Sequence, residues 1–197
     1  MAGDQGRRKK DVDGRPSPAM TEGSSNHDAG GRIAAIVLAV LFSLPSHAAS
    51  PTWREAQWSP PIDIWGVGKA WTCAGETCPS GAKLFARTKV GFCNCYTGVA
   101  DDTEIDLIGD VDIHGDSFTP DKPGTTAELG PLKGRKRPFS IPNRWFGTTH
   151  VLSVVVALDC KAVVATIVSS APIDQNLETA ALAVLKDKPF QDWLANQ

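Results

Sequence analysis

Five cysteines are the residues whose spacing most constrains their chemistry in this chain. Cys73 and Cys78 enclose a short glycine-containing loop that a disulfide can close. A bond between Cys93 and Cys95 would span one residue and strain the preferred geometry. We therefore predict a Cys73–Cys78 disulfide and a second disulfide between Cys160 and one of the other two cysteines. We choose Cys95 for the second bond, which leaves Cys93 as a free or redox-active thiol.

The same cysteines allow two other kinds of chemistry. Cys93 and Cys95 could exchange disulfides with a partner if a cation or a helix N-terminus lowers the pKa of one thiol. Lys89 and a helix predicted to begin near Asp102 could do so, although the acidic residues there oppose it. Zinc binding is disfavoured because the cysteine spacings differ from the usual C-x2-C pairs. Structural disulfides are the favoured interpretation, and we predict no metal and no cofactor.

An acidic stretch at residues 110–121 is similar to the first half of an EF-hand calcium loop. Oxygen-bearing side chains alternate there, and Gly115 occupies the sixth position. The later positions depart from the pattern: Asp121 replaces the final glutamate, and Pro120 precedes it. We favour a solvated acidic surface and keep calcium binding as an alternative function.

A compact basic cluster follows, consisting of Lys133, Arg135, Lys136 and Arg137. These side chains could bind a phosphate, an acidic glycan or an anionic membrane surface. The more ordinary interpretation is a solvated turn that enters a strand.

Four tryptophans, Trp53, Trp58, Trp65 and Trp71, lie within 19 residues. They could form a stacking platform for sugars or peptides, but tryptophans in such a pattern more often cover a sheet edge or a core. The chain contains no G-x-S-x-G, HExxH or Walker sequence, so an enzyme is the less favoured class.

An export signal is predicted near the N-terminus. Residues 33–44 form an almost wholly apolar run, preceded by an arginine and followed by proline and small residues. These features are typical of a signal peptide, which we place at residues 31–48 with cleavage after Ala48. A bilayer span needs about 20 apolar residues, so this run is short for a transmembrane helix. An uncleaved signal that remains as an anchor is the less favoured alternative. Residues 1–30 are predicted to be disordered, and Met20 is a plausible internal start.

Removing residues 1–48 leaves 149 residues with a net charge of −3 and all five cysteines. That size is typical of one domain. The slight acidity argues against nucleic-acid binding, which requires an excess of positive charge. Export would place the cysteines in an oxidising compartment, where disulfides are expected.

Alternating and β-branched residues predict the strands. Strands are expected at residues 65–71 and 83–93, the second with one face in solvent. A further strand is expected at residues 133–141. The β-branched residues of 151–170 exceed the usual length of one strand, so we predict a central hairpin that turns at 159–161.

Helical signals complete the fold. An acidic first turn predicts a short helix at residues 102–110, and Asn176 is expected to cap a C-terminal helix. Another short helix is expected to begin just before Pro189. Together these elements predict one α+β domain at residues 64–197, with a mainly antiparallel sheet and the C-terminal helices packed on it. Residues 49–63 are predicted to be an extended lead-in.

The sequence therefore favours an exported, disulfide-stabilised binding or accessory protein of the periplasm or the extracellular space. The alternatives are a thiol-disulfide oxidoreductase that uses Cys93 and Cys95, and a calcium-binding protein. We expect an unidentified protein or small-molecule partner, no nucleic acid, and no stable membrane insertion after signal cleavage.

Overall fold

The strands of this protein begin earlier than the sequence predicts. The structure, a computed structural model, describes residues 50–79, 81–91, 95 and 97–197. Its strands are β1 (Thr52–Ala56), β2 (Lys69–Ala74), β3 (Lys83–Val90), β4 (Thr119–Pro120), β5 (Thr125–Leu129), β6 (Leu132–Asn143), β7 (Gly147–Leu158) and β8 (Lys161–Ser169). Its α-helices are α1 (Asp102–Ile108), α2 (Gln175–Lys186) and α3 (Lys188–Leu194), and Asp112–His114 form a 3-10 turn. The expected start of ordered structure near residue 64 is therefore wrong.

The strands form one sheet in the order β1-β2-β3-β8-β7-β6-β4, and β5 pairs with the other end of β6. Every strand pair among the described residues is antiparallel. This arrangement confirms the predicted α+β domain with a mainly antiparallel sheet.

The predicted central hairpin is also confirmed. β7 and β8 pair from His150 and Ser169 to Leu158 and Lys161. Asp159, in the connecting turn, has a φ of 51°, a left-handed conformation that Asp tolerates better than most residues. The central side chains of both strands are buried, because other elements cover both faces of the sheet.

The two C-terminal helices cover one side of the sheet, which we call the helix face. The carboxylate of Asp174 accepts the N–H of Leu177 at 2.8 Å, so Asp174 caps α2 rather than the predicted Asn176. Pro189 lies in the first turn of α3, as predicted. Apolar side chains of both helices, Leu177, Ala181, Leu185, Phe190 and Leu194, pack on Leu84, Val154, Val163 and Ile167 of the sheet.

The opposite side, which we call the cover face, lies beneath α1, the 3-10 turn and residues 57–68. Asp101 and Glu104 form a capping box that starts α1, close to the predicted boundary. Ile105 is fully buried against Val155 and Val164 of the cover face. Covering this face with short polar segments requires polar contacts as well as apolar ones.

Two predicted strands need correction, and a third is longer than predicted. β2 begins only at Lys69, because Gly66 has a φ of 74° and its N–H donates to Asp63 in a turn. β3 ends at Val90, and its predicted solvent face is wrong, since Arg87 is only 1% exposed. The strand expected at 133–141 is confirmed and extends at both ends.

Candidate functional site

The centre of the cover face contains a buried arginine, Arg87 of β3. Two of its guanidinium nitrogens, Nε and Nη2, donate to the carboxylate of Asp110, each at 2.7 Å. Its Nη1 and Nη2 donate to Asp63 at 2.7 and 2.9 Å, and Nη1 also reaches the carbonyl of Gly66 at 3.2 Å. Every guanidinium nitrogen of Arg87 therefore has an acceptor, which is the condition for burying this charge at tolerable cost.

The buried cluster is electrically balanced. Lys89 Nζ lies 2.5 Å from Asp110, so two cations of β3 face two carboxylates. Burial by itself lowers the pKa of Arg87, but Asp110 and Asp63 outweigh burial and raise it above its ordinary value. The hydrogen bonds from Arg87 in turn lower the pKa of Asp63. Arg87 and Asp63 therefore stay charged at neutral pH.

This cluster corrects both interpretations of the acidic stretch for Asp110. Its carboxylate is 4% exposed, so it does not belong to a solvated surface. Both of its oxygens accept hydrogen bonds from Arg87, and Lys89 Nζ lies beside them, so Asp110 is engaged with protein cations rather than open to a ligand. Within the described residues, no group of three potential metal ligands lies together.

His114 lies beside the cluster on the cover face. Its Nε2 is 2.8 Å from the hydroxyl oxygen of Thr166, and its ring packs on Phe85 with centroids 5.4 Å apart. Burial lowers the pKa of His114 to about 4. The imidazole is therefore neutral near pH 7 and acts as a packing and hydrogen-bonding group.

The predicted basic cluster is divided between the two faces of the sheet. Arg135 and Arg137 lie on the cover face and pair with Asp102 at 2.6 Å and Asp106 at 2.6 Å. Hydrogen bonds from the Gly124 N–H and then from Arg135 lower the pKa of Asp102.

The remaining cations of the predicted cluster have different surroundings. Lys136 points to the helix face, where it pairs with Glu178. Lys133 and Arg135 line a depression of about 590 Å³ beside the Cys95–Cys160 disulfide. The four cations therefore do not form one continuous anion-binding patch.

Both predicted disulfides, Cys73–Cys78 and Cys95–Cys160, are present in the structure. The second joins residues 65 apart in sequence and contributes about 4 kcal/mol in the chain-entropy model. Since Cys95 is bonded to Cys160, it is not paired with Cys93 in this state. Cys93 itself lies outside the described residues.

The four tryptophans do not form one platform. Trp58 and Trp65 belong to the segment 57–68 that covers the sheet. The guanidinium carbon of Arg87 lies 5.6 Å from the ring centroid of Trp58, and Lys89 Nζ lies 5.8 Å from the ring centroid of Trp65. Trp53 and Trp71 are on the other face, where Trp71 packs edge-on against Phe190.

A groove of about 920 Å³ lies between β1 and α2. Its first wall is the start of β1, with Trp53 as the aromatic side chain. Its second wall is one stripe of α2, and the residues of the stripe are Asn176, Thr179, Ala180, Ala183, Val184 and Asp187. The groove thus combines a small apolar centre with polar groups, which is typical of binding sites.

The Cys73–Cys78 disulfide lies at one end of this groove. It closes the loop that carries Thr77, and Thr77 lines the groove. Cys78 Sγ lies 3.9 Å from the carbonyl oxygen of Thr52 in β1. The disulfide therefore helps to fix the position of a groove wall.

Sequence reasoning did not find the groove, because its walls come from opposite ends of the domain. One signal was present: Ala180, Ala183 and Val184 form a mildly apolar stripe beside the buried stripe of α2. Such a second stripe indicates that a helix side has another neighbour or a ligand.

The chain matches no known protein-family model and no curated protein sequence. Among the residues that the structure describes, no helix is long and apolar enough to cross a membrane.

Replacing Asp110 by Asn is expected to lower the free energy of unfolding by about 3 kcal/mol, because it leaves buried cations incompletely neutralised. Asn adopts a positive φ readily, so the left-handed backbone at Asp110 (φ 57°) does not account for the loss. Urea denaturation measures the change. The control is Asp106→Asn, which breaks a more exposed ion pair and should cost about 1 kcal/mol or less. Equal losses in both variants would contradict the central role of the cluster.

His114 predicts a pH dependence of stability. Its pKa is about 4 in the folded protein and about 6.5 when unfolded, so the unfolded chain binds more protons between these values. The contribution is present above pH 6.5 and is lost as the pH falls towards 4, by about 3 kcal/mol at most. Denaturation of the wild type and of His114→Gln at several pH values should show a steeper loss in the wild type. An NMR titration of His114 with a midpoint near 6.5 would refute this assignment.

Proposed function

We propose that this chain is an exported, disulfide-stabilised binding protein that receives an extended peptide segment of a partner in the groove between β1 and α2. The observation that carries the proposal is the groove itself, formed between an edge strand and a helix. The two disulfides support the export part, because disulfides persist mainly in oxidising compartments. The predicted signal peptide at residues 31–48 supports the same conclusion.

An extended peptide fits the hydrogen-bonding character of the groove. β1 pairs with β2 on one side, and no described strand pairs with its other side. A peptide that added to this edge would satisfy unpaired backbone groups, while α2 would supply the second wall for its side chains. In this binding mode the backbone of β1 provides most of the affinity for the peptide, and the stripe on α2 selects among its side chains.

Trp53 provides a second reason for a peptide. Its Nε1 atom is buried and has no acceptor among the described residues. A buried indole N–H normally has a hydrogen-bond partner, and a small shift of the ring would let it donate to a ligand carbonyl. Asn176 and Thr179 supply further donors and acceptors along the helix wall.

The export part predicts a definite covalent state. Protein recovered from the exported fraction of expressing cells should begin at Ala49 and contain two disulfides. Intact mass spectrometry with alkylation before and after reduction measures both properties, and reduction should expose four additional alkylation sites. A product that retains residues 31–48, or that reacts at every cysteine without reduction, would contradict export with structural disulfides.

The binding part predicts where a peptide contacts the protein. Peptides selected from a random library displayed on phage should shift backbone NMR signals of β1 and α2. Ala183→Trp fills the groove from an exposed position and should weaken binding about tenfold or more, since the peptide must then give up its contacts. Lys186→Trp places the same side chain on α2 outside the groove lining and should bind normally.

Selected peptides that shift other regions, or that bind Ala183→Trp and the wild type equally, would contradict the groove as the site. Circular dichroism and the melting temperature of both variants establish that they are folded. Because Ala183 and Lys186 are both exposed, neither substitution removes a core contact.

A further inference from the structure

The turn between β6 and β7 exposes two adjacent aromatic side chains. Trp145 and Phe146 are each 87% exposed, although side chains of this size are usually at least half buried. Each exposes a large apolar surface to water, which is unfavourable for the isolated domain. Adjacent exposed aromatics of this kind mark an interaction surface.

The turn is held in one conformation. The side-chain oxygen of Asn143 accepts the N–H groups of Trp145 and Phe146 at 2.9 and 3.1 Å. Gly147 has a φ of 80°, which a residue with a side chain would adopt at a cost, and it brings the chain back into β7. The two rings are thus presented by an ordered turn.

The hairpin extends beyond its neighbours in the sheet. β8 pairs with β7 only as far as His150, and β4 pairs with β6 only as far as Ser140. The last three residues of β6 and the first three of β7 pair only with each other among the described strands. At about 3.3 Å per residue, the turn lies about 10 Å past the adjacent strand ends.

Charge favours an anionic partner. The hairpin from Leu132 to Leu158 contains no Asp or Glu. Arg144 is exposed and precedes Trp145 in sequence, and a guanidinium is well suited to binding a phosphate. An indole places its apolar ring and its N–H at the boundary between lipid chains and headgroups.

We propose that the β6–β7 turn, Arg144-Trp145-Phe146, is a membrane-contact site that inserts its aromatic side chains into the headgroup region of an anionic phospholipid bilayer. A convex, rigid tip suits a bilayer, which needs no complementary pocket, whereas a protein partner would need one. The contact is peripheral and reversible, because two side chains bury too little apolar surface for permanent anchoring. It is separate from the peptide groove and does not depend on it.

Vesicles of phosphatidylcholine, with and without phosphatidylglycerol, test the proposal on the full chain. Brominated lipid chains should quench the fluorescence of the wild type, and Trp145→Phe should lose most of that quenching while still binding. The chain has six tryptophans, so the contribution of Trp145 is the difference in quenching between each protein and the same protein carrying Trp145→Phe. Arg144→Ser should weaken the Trp145-dependent quenching on anionic vesicles and change it little on neutral ones.

A double substitution, Trp145→Ser with Phe146→Ser, should reduce the fraction of protein that sediments with the anionic vesicles about tenfold or more, because each ring buries apolar surface there. The matched control is Ile64→Ser with Val67→Ser, which removes two exposed apolar side chains elsewhere and should leave the Trp145 quenching unchanged. Ala183→Trp should sediment with the vesicles as the wild type does, so failure of the groove and failure of the tip are distinguishable.

Three results would overturn the membrane assignment. The first is the absence of Trp145-dependent quenching with either lipid composition. The second is a loss of vesicle sedimentation in the Ile64 and Val67 control that equals the loss in the Trp145 and Phe146 double variant. The third is tip-dependent binding that occurs only on native membranes and is abolished by protease treatment, which would assign the tip to a protein partner.

Discussion

The buried guanidinium of Arg87 is the constraint on which the cover face depends. An arginine in the middle of a central strand, 1% exposed, is tolerable only when its donors find acceptors and its charge is neutralised by carboxylates. Asp63 and Asp110 do so from segments 24 and 23 residues away in sequence. The requirement therefore fixes residues 57–68 and the end of α1 against the sheet, where apolar contact alone is limited to small clusters.

The two faces of the sheet are stabilised by different means. The helix face is apolar and extended, and α2 and α3 pack on it as amphipathic helices. On the cover face, α1 has only seven residues, and the carboxylates of Asp102 and Asp106 attach it to arginines of β6. The carbonyl of Gly109 then accepts the buried hydroxyl of Ser153 at 2.7 Å. A Cβ at Gly109 would lie 2.5 Å from that hydroxyl oxygen, so glycine permits the close approach.

The proposed binding surfaces use parts of the molecule that this framework leaves open. The groove lies at the β1 edge, where backbone groups on one side of the strand have no described strand partner. The aromatic turn lies at the end of the longest hairpin, beyond the ends of the adjacent strands. Both surfaces are carried by rigid elements, and the disulfides lie at loops beside the groove and beside the β7–β8 turn. The two packed faces of the sheet thus stabilise the fold, and the proposed binding surfaces lie at its edge and at the end of its longest hairpin.

The sequence alone determined the features that depend on short-range chemistry. The β-branched runs on either side of Asp159 predicted the central hairpin, and the acidic turn at Asp101 predicted α1. Spacing selected the Cys73–Cys78 disulfide but left Cys160 to pair with either Cys93 or Cys95, and the fold brings it to Cys95. Tertiary structure decided the rest. Alternation in β3 placed Arg87 and Lys89 on one face, but a polar strand face can meet either water or distant carboxylates, and periodicity is the same in both cases. The basic residues of β6 were likewise predicted as one cluster, although the two-residue period of a strand sends Lys136 to the opposite face from Arg135 and Arg137. The groove was beyond sequence reasoning because β1 and α2 come together only when the sheet and the helices pack.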